Sequence, residues 1–169
     1  DKITGSRERN PMGNCLKVGI LGAGNIAGSM AEALNELQKE GKACAYAVAS
    51  RSQEKALEFA RKWNITRAYS SYEELASDPE VDLIYIATPH SLHYEQAKLC
   101  MEHGKNVLVE KAFTANARQA EELFAMAEEK KVFITEAIWT RYMPSREIIT
   151  GLLREGVIGT PQILSLIHI

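Results

Sequence analysis

Cysteine is scarce in this chain, with three among 169 residues. Cys15, Cys44 and Cys100 lie far apart, form no CxxC pair and leave an odd count, which speaks against a disulfide framework and a paired-cysteine zinc site. The expected location is therefore a reducing cytoplasm, and no metal is expected. Long apolar runs are missing too: none reaches the ~18 residues that a membrane helix requires, and no signal-peptide pattern precedes the first apolar segment. Excess charge of one sign is also absent, since 20 basic side chains stand against 22 acidic ones for a formal net charge of −2. That balance supplies no long-range field to draw nucleic acid or an anionic membrane, so neither is an expected partner. Internal repeats and low-complexity segments are lacking. What the chain does have is a 46% apolar share, enough to bury a core in one domain of ordinary size together with the beginning of another.

Apolar segments recur at 17–21, 43–49, 83–87, 106–109 and 132–137, with a shorter one at 68–69, and read as strands. Between them apolar residues return every three or four positions. The sets are Ile26, Met30, Ala33 and Leu37; Ala56, Phe59, Ala60 and Trp63; and Ala120, Leu123, Phe124 and Ala127, each lining one helix face. Asn116 followed by Gln119 makes a capping-box-like helix start, while Gly41 and Gly104 stand where preceding helices should stop. Nearly continuous apolar strands joined by crossover helices predict an α/β fold whose parallel sheet is covered on both faces, the doubly wound architecture. From Pro144 onward a further helix over 145–155 leads through Gly156, Gly159 and Pro161 into a fresh strand, read as the truncated start of an α+β second domain.

The first strand runs straight into Gly22-Ala-Gly24-Asn25-Ile26-Ala27, a GxGxxA pattern with a strand before it and an amphipathic helix after it. Gly22 permits a tight turn, Gly24 lets bare backbone approach a diphosphate, and Ala27 allows helix and strand to pack closely. The exposed N–H groups around Asn25 and Ile26 then face the phosphates at the positive end of the helix. The second strand ends in Ala49-Ser50-Arg51-Ser52, where the acidic residue that usually bonds the adenosine ribose is missing. Small hydroxyls and a planar guanidinium at Ser50, Arg51 and Ser52 suit a 2′-phosphate, which favours NADP over NAD.

Three later stretches are IYIATPHSLH at 84–93, GKNVLVEK at 104–111 and EAIWTRYMP at 136–144. Together with the GxGxxA start they resemble the Gfo/Idh/MocA oxidoreductases over about residues 16–162, and EAIWTRYMP looks most like the dihydrodiol and NADP-dependent xylose dehydrogenase branch. The resemblance implies a Rossmann domain and hydride transfer between a nicotinamide cofactor and a hydroxyl or carbonyl carbon of a sugar, cyclic polyol or dihydrodiol. It also implies a homo-oligomer for the full-length form. The family's EKP motif corresponds to Glu110-Lys111-Ala112, which makes Lys111 the expected catalytic lysine and Glu110 a cofactor-side residue. An ammonium at the carboxyl end of a strand is suited to donate a hydrogen bond or relay a proton at the reacting oxygen. Ala112 departs from the family's proline, and a lysine-alanine bond is expected to be trans.

Thr88 and Pro89 resemble the family's turn beneath the nicotinamide ribose, with His90 where asparagine is common. His93 is a substrate candidate, the equal alternative being a bond to neighbouring backbone. Trp139 and Arg141 lie in the stretch resembling the branch's cofactor wall, and Trp139 is also a substrate candidate, although it can equally plug a domain junction. Glu136 is expected to partner Arg141 or to cap a strand end, and His103 to make a helix-end contact. On this reading residues 1–13 are a disordered or non-native lead-in, 14–140 the dinucleotide-binding domain, and 141–169 a linker helix and first strand of the second domain. The last six residues, LSLIHI, match a translated sequencing adapter and are expected to be foreign. Two rivals stay open: an enzyme of the same fold using NAD, and a non-catalytic Rossmann module that senses NAD(P).

Overall fold

The strands are β1 (Leu16–Leu21), β2 (Ala43–Ala49), β3 (Arg67–Tyr69), β4 (Leu83–Ile86), β5 (Asn106–Val109) and β6 (Ile134–Glu136). The helices between them are α1 (Asn25–Lys39), α2 (Gln53–Trp63), α3 (Tyr72–Ser77), α4 (His93–Glu102) and α5 (Ala117–Lys130). In the computed structural model, which describes residues 15–163, the strands form one six-stranded sheet in the order β3-β2-β1-β4-β5-β6. Every pairing is parallel. This is the doubly wound α/β fold that the alternation predicts.

Each face of the sheet carries its own core. On one, α1 and α2 bury Ala27, Ala31, Leu34, Phe59 and Ala60 against Val18 and Ile20. On the other, α3, α4 and α5 bury Leu75, Ala97, Met101, Leu123 and Ala127 against Leu21, Ile84 and Ile86. The fully buried stripe of α1 is Ala27, Gly28, Ala31 and Leu34; of the expected set, Met30 and Leu37 are half-buried against the same core and Ile26 and Ala33 are exposed. Small side chains let the helix lie close to its neighbours, and a Cβ on Gly28 would stand 3.3 Å from Trp63 Cζ2. Close approach thus outweighs the larger but displaced apolar set, leaving Ile26 exposed. Phe124 is likewise exposed and stacks on Phe113 with ring centroids 5.2 Å apart.

Local signals place the helix ends. Asn116 accepts from the Gln119 N–H at 3.0 Å, while the Gln119 side chain accepts from Ala115 N–H at 3.1 Å, one residue short of a true capping box. Gly41 and Gly104 adopt φ of 68° and 70°, the left-handed stops expected of them. The sequence reading lacks α3, only six residues long, although Ser71 and Glu74 form a complete capping box at its start. β6 is shorter than the apolar run around it, pairing with β5 only at Ile134, Thr135 and Glu136.

The compact unit holding the sheet ends at Ala137, and a second unit starts at Ile138. Taken by itself, that second unit has a 3₁₀ turn, Trp139–Tyr142, and a helix α6, Pro144–Arg154, with proline in its first turn. Residues 161–163 are not in a strand. The rest of the expected strand, with 164–169, lies outside the described residues, as does the lead-in at 1–13. Among the described residues no helix is long and apolar enough to cross a membrane.

Candidate functional site

β1 lies between β2 and β4, so the strand order reverses there. The chain leaving β1 turns into α1 on one face, and the chain leaving β4 turns into α4 on the other, which opens a crevice at the carboxyl edge of the sheet. Gly22 ends β1 at φ 104°, its N–H donating to Ala49 O at 2.8 Å. A Cβ there would stand 3.0 Å from Ala87 O and 3.2 Å from Thr88 Cγ2, so both conformation and space demand glycine.

Gly24 is bare for a different reason. Its φ of −94° and ψ of −172° suit any residue, and a Cβ on it would meet nothing within 4 Å. No side chain caps α1 at this residue, and no acidic residue lies in its first turn. The first N–H groups of the helix, including those of Asn25 and Ile26, therefore lack a capping side chain at the positive helix end. A smooth, uncapped helix start of this kind fits a dinucleotide diphosphate.

The β2–α2 turn stands beside it. Ser52 caps α2, its Oγ accepting from Lys55 N–H at 3.3 Å, and Ser50 Oγ accepts from Ser52 N–H at 3.4 Å. Arg51 is exposed between them. A cleft of about 490 Å³ between α1 and α2 begins at Ala23, Gly24 and Asn25 and is lined further by Lys55, Lys62 and Trp63. Sequence reasoning passed over Lys55. Its signal is a third-position lysine behind the Ser52 cap, facing the glycine turn.

The β4 and β5 ends complete the edge. Ala87 N–H donates to Leu21 O at 2.8 Å and Glu110 N–H to Ile86 O at 3.0 Å, extending the ladder across β1, β4 and β5. Lys111 is exposed at this edge, two strand spacings or about 10 Å from the glycine turn. The Glu110 carboxylate is already engaged: Tyr85 O–H donates to one oxygen at 2.5 Å and Lys111 N–H to the other at 3.1 Å. Burial, reinforced by that carboxylate, holds the Tyr85 phenol protonated well above its ordinary range. Thr88 donates its hydroxyl to Gln96 Oε1, and Pro89 and His90 are exposed.

One expectation changes here. The Lys111–Ala112 bond is cis rather than trans, in a turn held from both sides: Ala112 O faces His93 Nδ1 at 2.8 Å, and Phe113 N–H donates to Glu136 Oε1 at 2.8 Å. That last bond gives Glu136, the last residue of β6, a backbone N–H as its partner, in keeping with the strand-end role that was one of its two expected readings. His93 is only 1% exposed and its Nε2 lies 2.9 Å from Thr88 O, so the ring meets backbone at both nitrogens. His103 ends α4 with Nδ1 2.9 Å from Leu99 O and Nε2 2.9 Å from Glu73 Oε1.

Gly22, Gly24, Asn25, Ile26, Ser50, Arg51, Ser52, Thr88, Pro89, His90, Glu110 and Lys111 thus share one sheet edge. Trp139, 64% exposed, and Arg141 belong to the second unit. Tyr85 and Gln96 carry no signal of their own in the sequence, because a strand apolar on both faces hides one hydroxyl and a helix hides one amide.

Residues 16–137 match the family model for the oxidoreductase family with an NAD-binding Rossmann fold, GFO_IDH_MocA. The chain is 44% identical over 144 residues to trans-1,2-dihydrobenzene-1,2-diol dehydrogenase of Mus musculus, covering 85% of this chain and 43% of that protein. It is 41% identical over 154 residues to D-xylose 1-dehydrogenase (NADP(+)) of Hypocrea jecorina, covering 86% and 39%. Among solved structures, KijD10, a 3-ketoreductase from Actinomadura kijaniata in complex with NADP, superposes with a TM-score of 0.79 at 33% identity, covering 86% of this chain and 46% of that one. The chain therefore spans under half the length of these relatives. With the fold, the glycine turn and the matched segment in agreement, this chain belongs to the Gfo/Idh/MocA family of oxidoreductases.

Proposed function

We propose that this chain is the NADP-binding half of a dehydrogenase that moves a hydride between nicotinamide and a hydroxyl-bearing carbon of a sugar, cyclic polyol or dihydrodiol. Lys111 is its catalytic lysine. The observation that carries the reading is the shared edge: the bare, uncapped start of α1 and the exposed Lys111 amine both stand at the carboxyl ends of the strands, with only β4 between them.

When bound, the dinucleotide supplies the hydride acceptor. The chain's own residues bind and orient. Gly24 leaves room for the diphosphate, and the N–H groups at Asn25 and Ile26 neutralise it. Ser50 and Arg51 take the 2′-phosphate, a guanidinium being suited to two parallel hydrogen bonds with such a group. Thr88, Pro89 and His90 floor the ribose beside the redox ring. The Lys111 ammonium donates to the oxygen on the reacting carbon and relays its proton as that oxygen changes between alcohol and carbonyl. The NADP reading is supported by the missing carboxylate at 50–52 and by the NADP named for the Hypocrea and Actinomadura relatives.

Titrating the chain with NADPH and NADH, followed by nicotinamide fluorescence, tests the binding half. NADPH should bind at least about tenfold more tightly, and Arg51→Ala should shrink that gap while sparing NADH. Equal or tighter NADH binding refutes the 2′-phosphate assignment. In the polypeptide carrying the substrate-side residues, Lys111→Met should lower kcat by about 10² to 10⁴. Unchanged kcat would leave a nucleotide-binding module without a catalytic lysine.

A further inference from the structure

We propose that His93 is a two-ended positioning residue: its Nδ1 fixes the turn that carries Lys111, its Nε2 fixes the turn under the nicotinamide ribose, and the two ends can be separated by substitution. The proposal rests on the reading of Lys111 given above.

The ring opens α4 and is 1% exposed, so it cannot meet a ligand itself. Nδ1 lies 2.8 Å from the carbonyl oxygen of Ala112, the residue next to Lys111. Nε2 lies 2.9 Å from the carbonyl oxygen of Thr88, whose methyl stands 3.2 Å from where a Gly22 Cβ would be. One imidazole therefore spans the space between the lysine turn and the turn that abuts the glycine loop. Neighbouring bonds show that both turns are held deliberately rather than incidentally. Gln96, one helical turn along α4 and also buried, takes the Thr88 hydroxyl. Glu110 takes Lys111 N–H, and Glu136 takes Phe113 N–H. These contacts each hold one turn, whereas His93 touches both.

Carbonyl oxygens accept, so each nitrogen serves its end only when it carries a proton. A neutral ring donates to one carbonyl at a time, and an imidazolium donates to both. Amide side chains reproduce the ends singly. An asparagine amide nitrogen occupies the place of Nδ1, and a glutamine amide nitrogen that of Nε2. Measured against a ring that donates at both nitrogens, His93→Asn keeps the donor to Ala112 O and loses the donor to Thr88 O, and His93→Gln does the reverse.

The test compares His93→Asn, His93→Gln and His93→Leu by hydrogen exchange with mass spectrometry over 87–90 and 110–114, by NADPH fluorescence titration, and by steady-state kinetics of the complete polypeptide with D-xylose. His93→Asn should speed exchange mainly at 87–90 and raise the NADPH Kd about fivefold to tenfold, while keeping most of kcat. His93→Gln should speed exchange mainly at 110–114 and lower kcat about tenfold, with a near-parental NADPH Kd. His93→Leu should show both losses. Equal effects of the two amides on both segments, or no effect of either, overturn the proposal. Lys111→Met separates the two readings: if it spares kcat, the lysine assignment fails, while exchange and affinity still decide the clamp. Should an amide variant fail to fold, imidazole nitrogen NMR of the parent decides instead. Slowly exchanging ring N–H with couplings to the Thr88 and Ala112 carbonyls supports the clamp, and a ring lacking them overturns it.

Discussion

Replacing Gly24 by alanine should weaken NADPH binding about tenfold to a hundredfold without weakening the fold. At φ −94° and ψ −172° an alanine is unstrained, and its methyl meets nothing within 4 Å. Alanine restricts the unfolded chain, a gain of about 0.4–1 kcal/mol, but is a poorer N-cap than glycine by about 0.5–1 kcal/mol. These offset, leaving a net change within about 0.5 kcal/mol and a melting shift below about 2 °C for a chain of this size. Bound phosphate has no such tolerance. A methyl over the helix start holds it away from the N–H groups, and losing one charge-assisted hydrogen bond costs about 1.5–3 kcal/mol, or about tenfold to a hundredfold in Kd. Gly22→Ala is the contrasting control. At φ 104°, with the Ala87 carbonyl 3.0 Å from the new Cβ, it should cost about 1–3 kcal/mol of stability. The assay pairs a thermal melt followed by far-ultraviolet dichroism with an NADPH fluorescence titration. If the Gly24→Ala protein melts and binds like the parent, no diphosphate lies across residue 24 and the site has been misread.

Other perturbations probe parts of the fold away from that turn. Lys105 is 8% exposed and donates from Nζ to Asp78 O at 2.5 Å and Val81 O at 3.0 Å. Lys105→Met should destabilise by about 1–3 kcal/mol in urea melts with unchanged NADPH affinity, because residue 105 precedes β5 at the opposite sheet edge. A weakened affinity would contradict that separation. Burial pushes the Cys100 thiol up to about 12 from an ordinary 9.0. The native state thus holds that proton more tightly than the unfolded chain, so its contribution is full below pH 9 and declines as pH rises from 9 towards 12. Cys100→Ala should flatten the alkaline limb of a stability-versus-pH curve, and a slope parallel to the parent's would count against the burial argument. Ser52→Ala removes the α2 cap and should lower the melting temperature by about 2–4 °C, as a loss near 1 kcal/mol implies. No change would mean that water replaces the hydroxyl without cost.

The strands β2 and β5 were legible to the residue, because continuous apolar runs bounded by turn residues admit few other readings. α1 was legible as a helix but not in which of its residues are fully buried. Periodicity favours the larger side chains at Ile26 and Met30, whereas the sheet accepts the face lined by Ala27, Gly28 and Ala31 because small residues permit closer packing. α3 escaped notice because six residues show too little period to register, even though its cap pair was present. The glycine turn is readable from backbone need alone, and Lys111 is proposed from its motif. Their supports, Tyr85, Gln96 and Glu136, could not be found that way, because each is defined by a partner 8 to 25 residues away.

By itself the sequence determined the alternation of strands and helices, the bare backbone at Gly22 and Gly24, and the set of turns where chemistry could gather, since all of these follow from local conformation and side-chain period. The tertiary structure alone decided which residues of α1 are fully buried and what holds the lysine turn. It also decided that His93 meets two carbonyls instead of solvent. Those outcomes depend on atoms brought together across the sheet, where packing density and the need to pair every buried polar group outweigh any preference that neighbouring residues express.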